Sequence, residues 1–325
     1  MAIRIELSRE RWEAAVRPFG LGPLEEARGL PQGSINTNCQ LRSPQGVFLA
    51  RLSTVRSEAD LAFEATLLEE LRRGGLPVVP PLPRPPPDKP WLPLEGGLLS
   101  IFPWVAGEEL GPAEASETQL HELGRILGRV RRVASGSALR RANPYGPATI
   151  GGWLAELTAS DARGDPAVRE ALPAIAEALR RAGALEGAEL GIVHADVFRD
   201  NVLWLGDRIS AVIDFEMACT APWALEPAVA MLDWCWGPGP GFDARRVRAF
   251  AEGYRESSRP AAIDPADLGR CLAFAAARFT LSRLRDFHFS PLPPARLAPK
   301  DWREMRARLE AALAPEARTL CELWG

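Results

Sequence analysis

Three short apolar runs between Ile192 and Ile213 constrain this chain more than any other stretch, because each ends on residues able to do chemistry. Ile192-Val193 leads into His194-Ala195-Asp196, and Val202-Leu203-Trp204 leads away from Asn201. Leu205-Gly206-Asp207-Arg208 reads as a tight turn, since glycine supplies the positive φ that hairpin turns need. Ile209 to Ile213 is then a third strand, and it delivers Asp214 at its end. The order is strand, loop, strand, turn, strand, acid. A capped surface turn at His194 and Asp196 would not explain why the acids all sit at strand ends.

One carboxylate, one amide and a second carboxylate at this spacing suit phosphoryl transfer. Asp196 would take the proton from a substrate hydroxyl, while Asn201 and Asp214 would hold Mg²⁺ against the phosphates of ATP. Mg²⁺ usually needs only one or two carboxylates besides those phosphates, so the set is chemically sufficient. A bare H-x-D-x-x-x-x-N pattern is weak by itself, and the strands around it supply the specificity. His194 reads as a structural strut for the loop. Arg199, inside the loop, could contact the transferred phosphate or equally pair with a neighbouring acid.

Composition narrows the class. A chain of 325 residues can fill one large domain or two lobes. A net charge of −3 points to neither a nucleic-acid nor a membrane-surface partner. No apolar run approaches the roughly eighteen residues of a membrane span, and Met1 to Ser8 has no apolar signal core. Five scattered cysteines without a C-x-x-C pair fit reduced thiols and a cytoplasmic setting. Lys89 and Lys300 are the only lysines. Neither follows a glycine-rich loop, which excludes a Walker-type phosphate loop and leaves arginine as the cation for phosphate.

The first hundred residues read as strands plus one helix. Gly33-Ser34-Ile35-Asn36-Thr37-Asn38 is a small polar loop, Ser43 to Gly46 a turn, and Val47 to Leu52 a returning strand. Ser34 and Asn36 in such a tip could offer backbone N–H groups to phosphates, although most such loops are only turns. Ser57 to Arg73 reads as a helix, with Ser57 as N-cap and Gly74-Gly75 as the stop. Leu61, Ala65, Leu68 and Leu71 form its apolar stripe, and Glu64 lies on or beside it. A buried carboxylate needs a partner, and Arg51 on the preceding strand is the obvious one. The alternative is a half-exposed Glu64 with no fixed partner. Pro77 to Pro93 is a stiff proline-rich connector, or a segment for proline-binding modules. A hairpin turning at Glu95-Gly96-Gly97 follows. Phe102 to Gly107 then breaks the pattern, and there the hinge is expected, with the backbone near Phe102 and Trp104 pairing with adenine.

Beyond it the chain is helical. Ser116-x-x-Gln119 is a capping box ahead of Leu120, Leu123, Leu127 and Val130 at helical period. Helices are also expected from Asp165-Pro166 to Ala182, from Pro227 to Trp236 carrying Asp233, and from Leu272 to Phe287. In the last, Arg278, Ser282 and Asp286 are spaced i, i+4, i+8, with Arg283 one position off that face.

Together these motifs resemble the aminoglycoside phosphotransferase and choline kinase superfamily, and within it the type II homoserine kinases. The resemblance rests on the Gly33 to Asn38 loop, His194 to Trp204, Val212 to Phe215 with Ala218-Cys219, Asp233-Trp234-Cys235, and Ala277 to Asp286. It covers most of the chain and implies an α+β, protein-kinase-like fold: a small β-rich nucleotide-binding lobe over residues 1–103, and a larger, mainly helical lobe over residues 104–325 with the catalytic loop and acceptor site. It implies ATP and Mg²⁺ as cofactors and a small-molecule acceptor, with homoserine phosphorylated to O-phosphohomoserine on the way to threonine. Three positions depart from the pattern: Glu216 stands where the branch usually has an aromatic, Leu232 where an asparagine is frequent, and Leu225-Glu226-Pro227 where an aspartate is common.

An amino-acid alcohol needs a cation for its carboxylate and an anion for its ammonium. Arg199, Asp233, Arg278, Arg283 and Asp286 are the candidates, unless the arginines of the late helix only tie it to its lobe. Three readings stay open at this level: a homoserine kinase, a kinase of another small alcohol such as an aminoglycoside or amino alcohol, and a non-catalytic nucleotide-binding relative. The complete Asp196, Asn201 and Asp214 set argues against the last. Oligomeric state is not legible.

Overall fold

In the computed structural model, residues 7–30, 36–84, 89–111, 114–160, 164–183, 188–258, 262–290 and 300–325 are described. They divide into two compact units, one reaching Ala106 and the other starting at Gly107.

The first unit is built on a five-stranded antiparallel sheet of order β1-β2-β3-β5-β4. Its strands are β1 (Glu26–Gly29), β2 (Thr37–Ser43), β3 (Gly46–Ser53), β4 (Trp91–Leu94) and β5 (Gly97–Pro103). Alternation along β2 buries Thr37, Cys39, Leu41 and Ser43, the period-2 signature of a strand with one covered face. Leu41, Ala50, Leu52, Leu99 and Ile101 form a core with Trp12 and Val16 of α1 (Arg9–Val16). Helix α2 (Glu58–Arg73) follows β3 and starts at a reciprocal capping box between Ser57 and Asp60. It buries Leu61, Phe63, Glu64, Leu67, Leu68 and Leu71, so its stripe runs through Leu67 where the sequence suggested Ala65. The sequence placed the lobe boundary after Pro103. Here it falls after Ala106, because the Trp104 N–H still bonds to the Val47 carbonyl at 3.0 Å and keeps the chain on the sheet.

The second unit holds helices α3 (Glu117–Ala134), α4 (Pro147–Ala159), α5 (Pro166–Ala182), α6 (Leu225–Trp234), α7 (Ala244–Ser258), α8 (Pro265–Arg283), α9 (Trp302–Leu313) and α10 (Glu316–Glu322). It also holds two antiparallel pairs: β6 (Leu190–Val193) with β9 (Cys219–Pro222), and β7 (Val202–Leu205) with β8 (Arg208–Val212). Helix α3 starts at the Ser116/Gln119 capping box and lies against α7 at backbone contact. A Cβ on Gly124 would fall 2.1 Å from the Phe250 carbonyl oxygen, so only glycine permits this approach. Helix α8 is buried from Cys271 to Leu281, apolar there except for Arg278 and Thr280, and packs against α5, α6 and α9, as a helix at the centre of a core does. The helix expected from Leu272 to Phe287 starts earlier, at Pro265, and changes character at Leu284–His288, where the chain makes one π-helical turn. Among the described residues, no helix is long and apolar enough to cross a membrane. All five cysteines are buried free thiols.

Candidate active site

The second unit brings Asp196, Asn201 and Asp214 together through strand ends, as the apolar runs require. β6 stops at Val193, and His194 to Phe198 form a loop that ends in a short helical turn, Arg199–Asn201. β7 then leaves, turns, and returns as β8 toward Asp214. The Asn201 carbonyl accepts from the Ile213 N–H at 3.0 Å, tying the loop to the strand that carries Asp214. Asn201 donates its side-chain NH₂ to the Asp196 carbonyl at 2.7 Å, with the Asp196 carboxylate 3.4 Å away. That bond fixes which end of the amide is which and turns its oxygen away from the loop backbone. Asp214 adopts φ 62°, ψ 59°, and its side chain makes no capping bond to the Phe215–Met217 turn that it precedes.

His194 is buried and holds both halves of the site. Its Nδ1 accepts the Asp196 N–H at 3.2 Å, and its Nε2 lies 2.9 Å from the Ile213 carbonyl. One ring nitrogen accepting and the other donating describes a neutral imidazole. The ring packs on Phe215 at 4.4 Å between centroids.

Ala195 has φ 64°, a left-handed conformation rarely adopted by a residue with a Cβ. It is gripped on both sides. The buried Glu226 accepts its N–H at 3.1 Å, and the buried Arg278 donates to its carbonyl at 2.7 Å. Burial pushes the Asp196 carboxyl up to about 6, opposed by Arg278 and Lys300 and assisted by Asp200 and Glu216. Burial also raises the Glu226 carboxyl, against backbone hydrogen bonds at Ala195 and His194. Arg141 donates to the carbonyls of Glu216 and Ala218 at 2.7 and 2.9 Å, fixing the chain after Asp214.

The expected acceptor residues each have partners within the protein. Arg199 and Asp233 satisfy each other through two side-chain hydrogen bonds of 2.6 and 3.0 Å, and Asp233 also accepts the Arg199 N–H at 2.9 Å. Both charges are therefore engaged and buttress the loop. Arg278 is 1% exposed, lies under Tyr145 and Phe279, and holds Ala195. Arg283 pairs with Glu304 at 2.9 Å and with the Asp301 carbonyl. Asp286 pairs with Arg285 at 2.8 Å. The π-helical turn breaks the 3.6-residue period, so Arg278, Ser282 and Asp286 do not share one face. Trp234 is core: fully buried, it packs on Trp204 and donates to the Val197 carbonyl.

In the first unit, Arg51 and Glu64 form a buried ion pair, and the guanidinium lies 4.7 Å from the centre of the Phe102 ring. Ser34 lies outside the described residues, whereas Asn36 is half-buried immediately before β2. Phe102 pairs with Leu49, and the Trp104 N–H bonds to the Val47 carbonyl, so the sheet takes the Phe102 backbone and the Trp104 N–H. In an antiparallel ladder successive residues face opposite ways. The Pro103 carbonyl therefore points away from β3 and joins the expected Phe102 and Trp104 as a candidate for adenine pairing.

Sequence reasoning missed two residues. Glu226 registers in the sequence only as a departure from a family pattern, yet it clamps the loop. Lys300 pairs with Asp200 at 3.3 Å beside the catalytic loop. Its one sequence signal is rarity, as a lysine in a chain whose other cations are almost all arginine. Among the described residues, no group of three or more His, Cys, Asp or Glu side chains is arranged as a metal site. One carboxylate and one amide oxygen, at Asp214 and Asn201, still match what Mg²⁺ needs when phosphates complete its shell.

The family model described as "Phosphotransferase enzyme family" matches residues 26–262. The chain is 30% identical over 306 residues to a homoserine kinase of Bradyrhizobium diazoefficiens, covering 93% of this chain and 91% of that protein. It is 31% identical over 324 residues to a homoserine kinase of Rhodopseudomonas palustris, covering 95% and 94%. Among solved structures it resembles an amicoumacin kinase in complex with AMP-PNP, Ca²⁺ and Ami. That match has a TM-score of 0.68 at 15% identity and covers 89% of this chain and 88% of that one. The fold is thus the protein-kinase-like one, with an antiparallel-sheet unit followed by a mainly helical unit.

Proposed function

The chain belongs to the phosphotransferase enzyme family, and on that premise we propose that it transfers the γ-phosphoryl group of ATP to the side-chain hydroxyl of homoserine. The observation that carries the reading is the hydrogen-bonded arrangement of Asp196 and Asn201, joined through Ile213 to Asp214. The full-length likeness to homoserine kinases supports the choice of acceptor.

Asp196 is the base. Its carboxylate receives the proton of the acceptor hydroxyl as the oxygen attacks phosphorus, and its position near pH 6 suits a group that must be charged at neutral pH yet able to hold a proton. Asn201 and Asp214 hold Mg²⁺, which when bound supplies positive charge against the phosphate oxygens. His194 keeps the base and the Asp214 strand in register. In the first unit, Arg51 contacts phosphate oxygens and is oriented by Glu64, Asn36 and Ser34 belong to the phosphate loop, and the Pro103 carbonyl takes the adenine amino group. Buried, unbridged thiols suit a cytoplasmic enzyme.

The test is Mg²⁺-dependent ADP release from ATP, with homoserine, choline, ethanolamine, hydroxylysine, methylthioribose and kanamycin offered separately. Strong stimulation by homoserine alone is expected. Stimulation by another acceptor, with homoserine inert, would overturn the substrate and keep the phosphoryl-transfer chemistry.

A further inference from the structure

Resting on that reading, we infer that Lys300 and Asp200 form the head-group subsite for the acceptor amino acid, the ammonium of Lys300 taking its α-carboxylate and the carboxylate of Asp200 taking its α-ammonium. Five arginines described around the catalytic loop and its supporting elements are each occupied: Arg199 by Asp233, Arg278 by the Ala195 carbonyl, Arg283 by Glu304, Arg308 by the Leu232 carbonyl at 2.5 Å, and Arg141 by the Glu216 and Ala218 carbonyls. Arg278 and Arg308 are also buried. Moving Arg278 or Arg308 would leave a buried carbonyl unmatched, and moving Arg199 would strand the buried Asp233 carboxylate, which is costly.

Lys300 differs on each count. Its side chain is 40% exposed, and Asp200 opposite it is 49% exposed. At 3.3 Å between two solvated groups, the pair contributes little to stability and opens at small cost. Asp200 stands four residues after the base and directly before Asn201, so its place is set by the same short turn that sets the catalytic groups. Lys300 and Arg278 are the cations whose fields reach Asp196, and of the two only Lys300 is accessible. Glu109 lies within the fields of both Asp200 and Lys300. A zwitterion presents one cation and one anion on a single carbon. An exposed Lys–Asp pair can exchange its internal contact for two contacts to such a ligand without leaving either charge unmatched. Lysine suits this role, being a compact ammonium on a flexible stem.

The experiment compares homoserine with 3-aminopropan-1-ol, which is homoserine without its carboxylate, in the wild type, Lys300→Ala and Lys300→Arg. The wild type should prefer homoserine in kcat/KM. Lys300→Ala should raise the homoserine KM and shrink that preference by about 10- to 100-fold, the range for loss of a charged hydrogen bond, and Lys300→Arg should restore most of it. Asp200→Asn should weaken both acceptors, since both carry the ammonium. A wild type that turns over homoserine while Lys300→Ala keeps the same preference overturns this assignment and leaves the proposed function standing. A KM rise for ATP with equal kcat loss on both acceptors would assign Lys300 to the phosphate and also overturn it. A wild type inert toward homoserine overturns both.

Discussion

The carboxylate of Glu226 accepts the main-chain N–H of Ala195 at 3.1 Å. This one bond reaches from the first turn of α6 to the residue before Asp196, the proposed base, and it holds a non-glycine residue at φ 64°. Strained backbone of this kind persists only where its surroundings over-determine it. Glu226 on one side and Arg278 on the other do so here.

Replacing Glu226 should separate shape from charge. Glu226→Ala leaves the buried Ala195 N–H without an acceptor and should cost about 1–3 kcal/mol, read as a lower denaturation midpoint in urea together with reduced kcat. Burial raises the Glu226 carboxyl toward its neutral form, so Glu226→Gln, neutral and able to accept the same bond, should fold nearly as stably as the wild type. If Glu226→Gln is as damaging as Glu226→Ala, the clamp depends on a negative charge.

Asp196→Asn removes the proposed base while keeping the size and the hydrogen-bonding shape of the side chain. Turnover should fall by roughly 10²- to 10⁴-fold, with ATP affinity retained in a titration that needs no catalysis. Unaltered turnover would take Asp196 out of the mechanism.

The pH profile follows from the same group. Asp196 is raised to about 6 chiefly by burial, and only its charged form can accept a proton. Acceptor kcat/KM of the wild type should therefore be flat above pH 7 and fall about tenfold per pH unit below 6. A profile flat down to pH 5 would place the base elsewhere or fully ionise Asp196 in the working enzyme.

The Arg51–Glu64 pair is buried on both sides. Glu64→Ala strands a buried cation and should cost about 3–5 kcal/mol, whereas the double change Arg51→Met with Glu64→Leu should recover much of that loss. The KM for ATP should stay raised in both, because the proposed phosphate cation is absent or misplaced in each. Recovery of ATP binding in the double variant would make the pair purely structural.

Local pattern was enough for much of this molecule. Period-2 alternation around Leu41 and Leu52 made strands, Ser57 and Ser116 capped helices, and short apolar runs ending at His194, Asn201 and Asp214 set three functional side chains at strand ends. These features act over a few residues, so sequence spacing alone encodes them. The partners of charged groups are different in kind. Arg199 met Asp233 from 34 residues away, and Arg278 met Ala195 from 83. Lys300 reached Asp200 from 100 residues away. The π-helical turn at Leu284–His288 rotated Asp286 out of an alignment that a regular helix would have kept. Which ion pairs form, and which charges stay open to a ligand, depends on burial and on long-range packing. Spacing along a chain carries neither, so only the tertiary structure could decide that Arg199 and Arg278 hold the loop and that an exposed Lys300 meets Asp200 beside it.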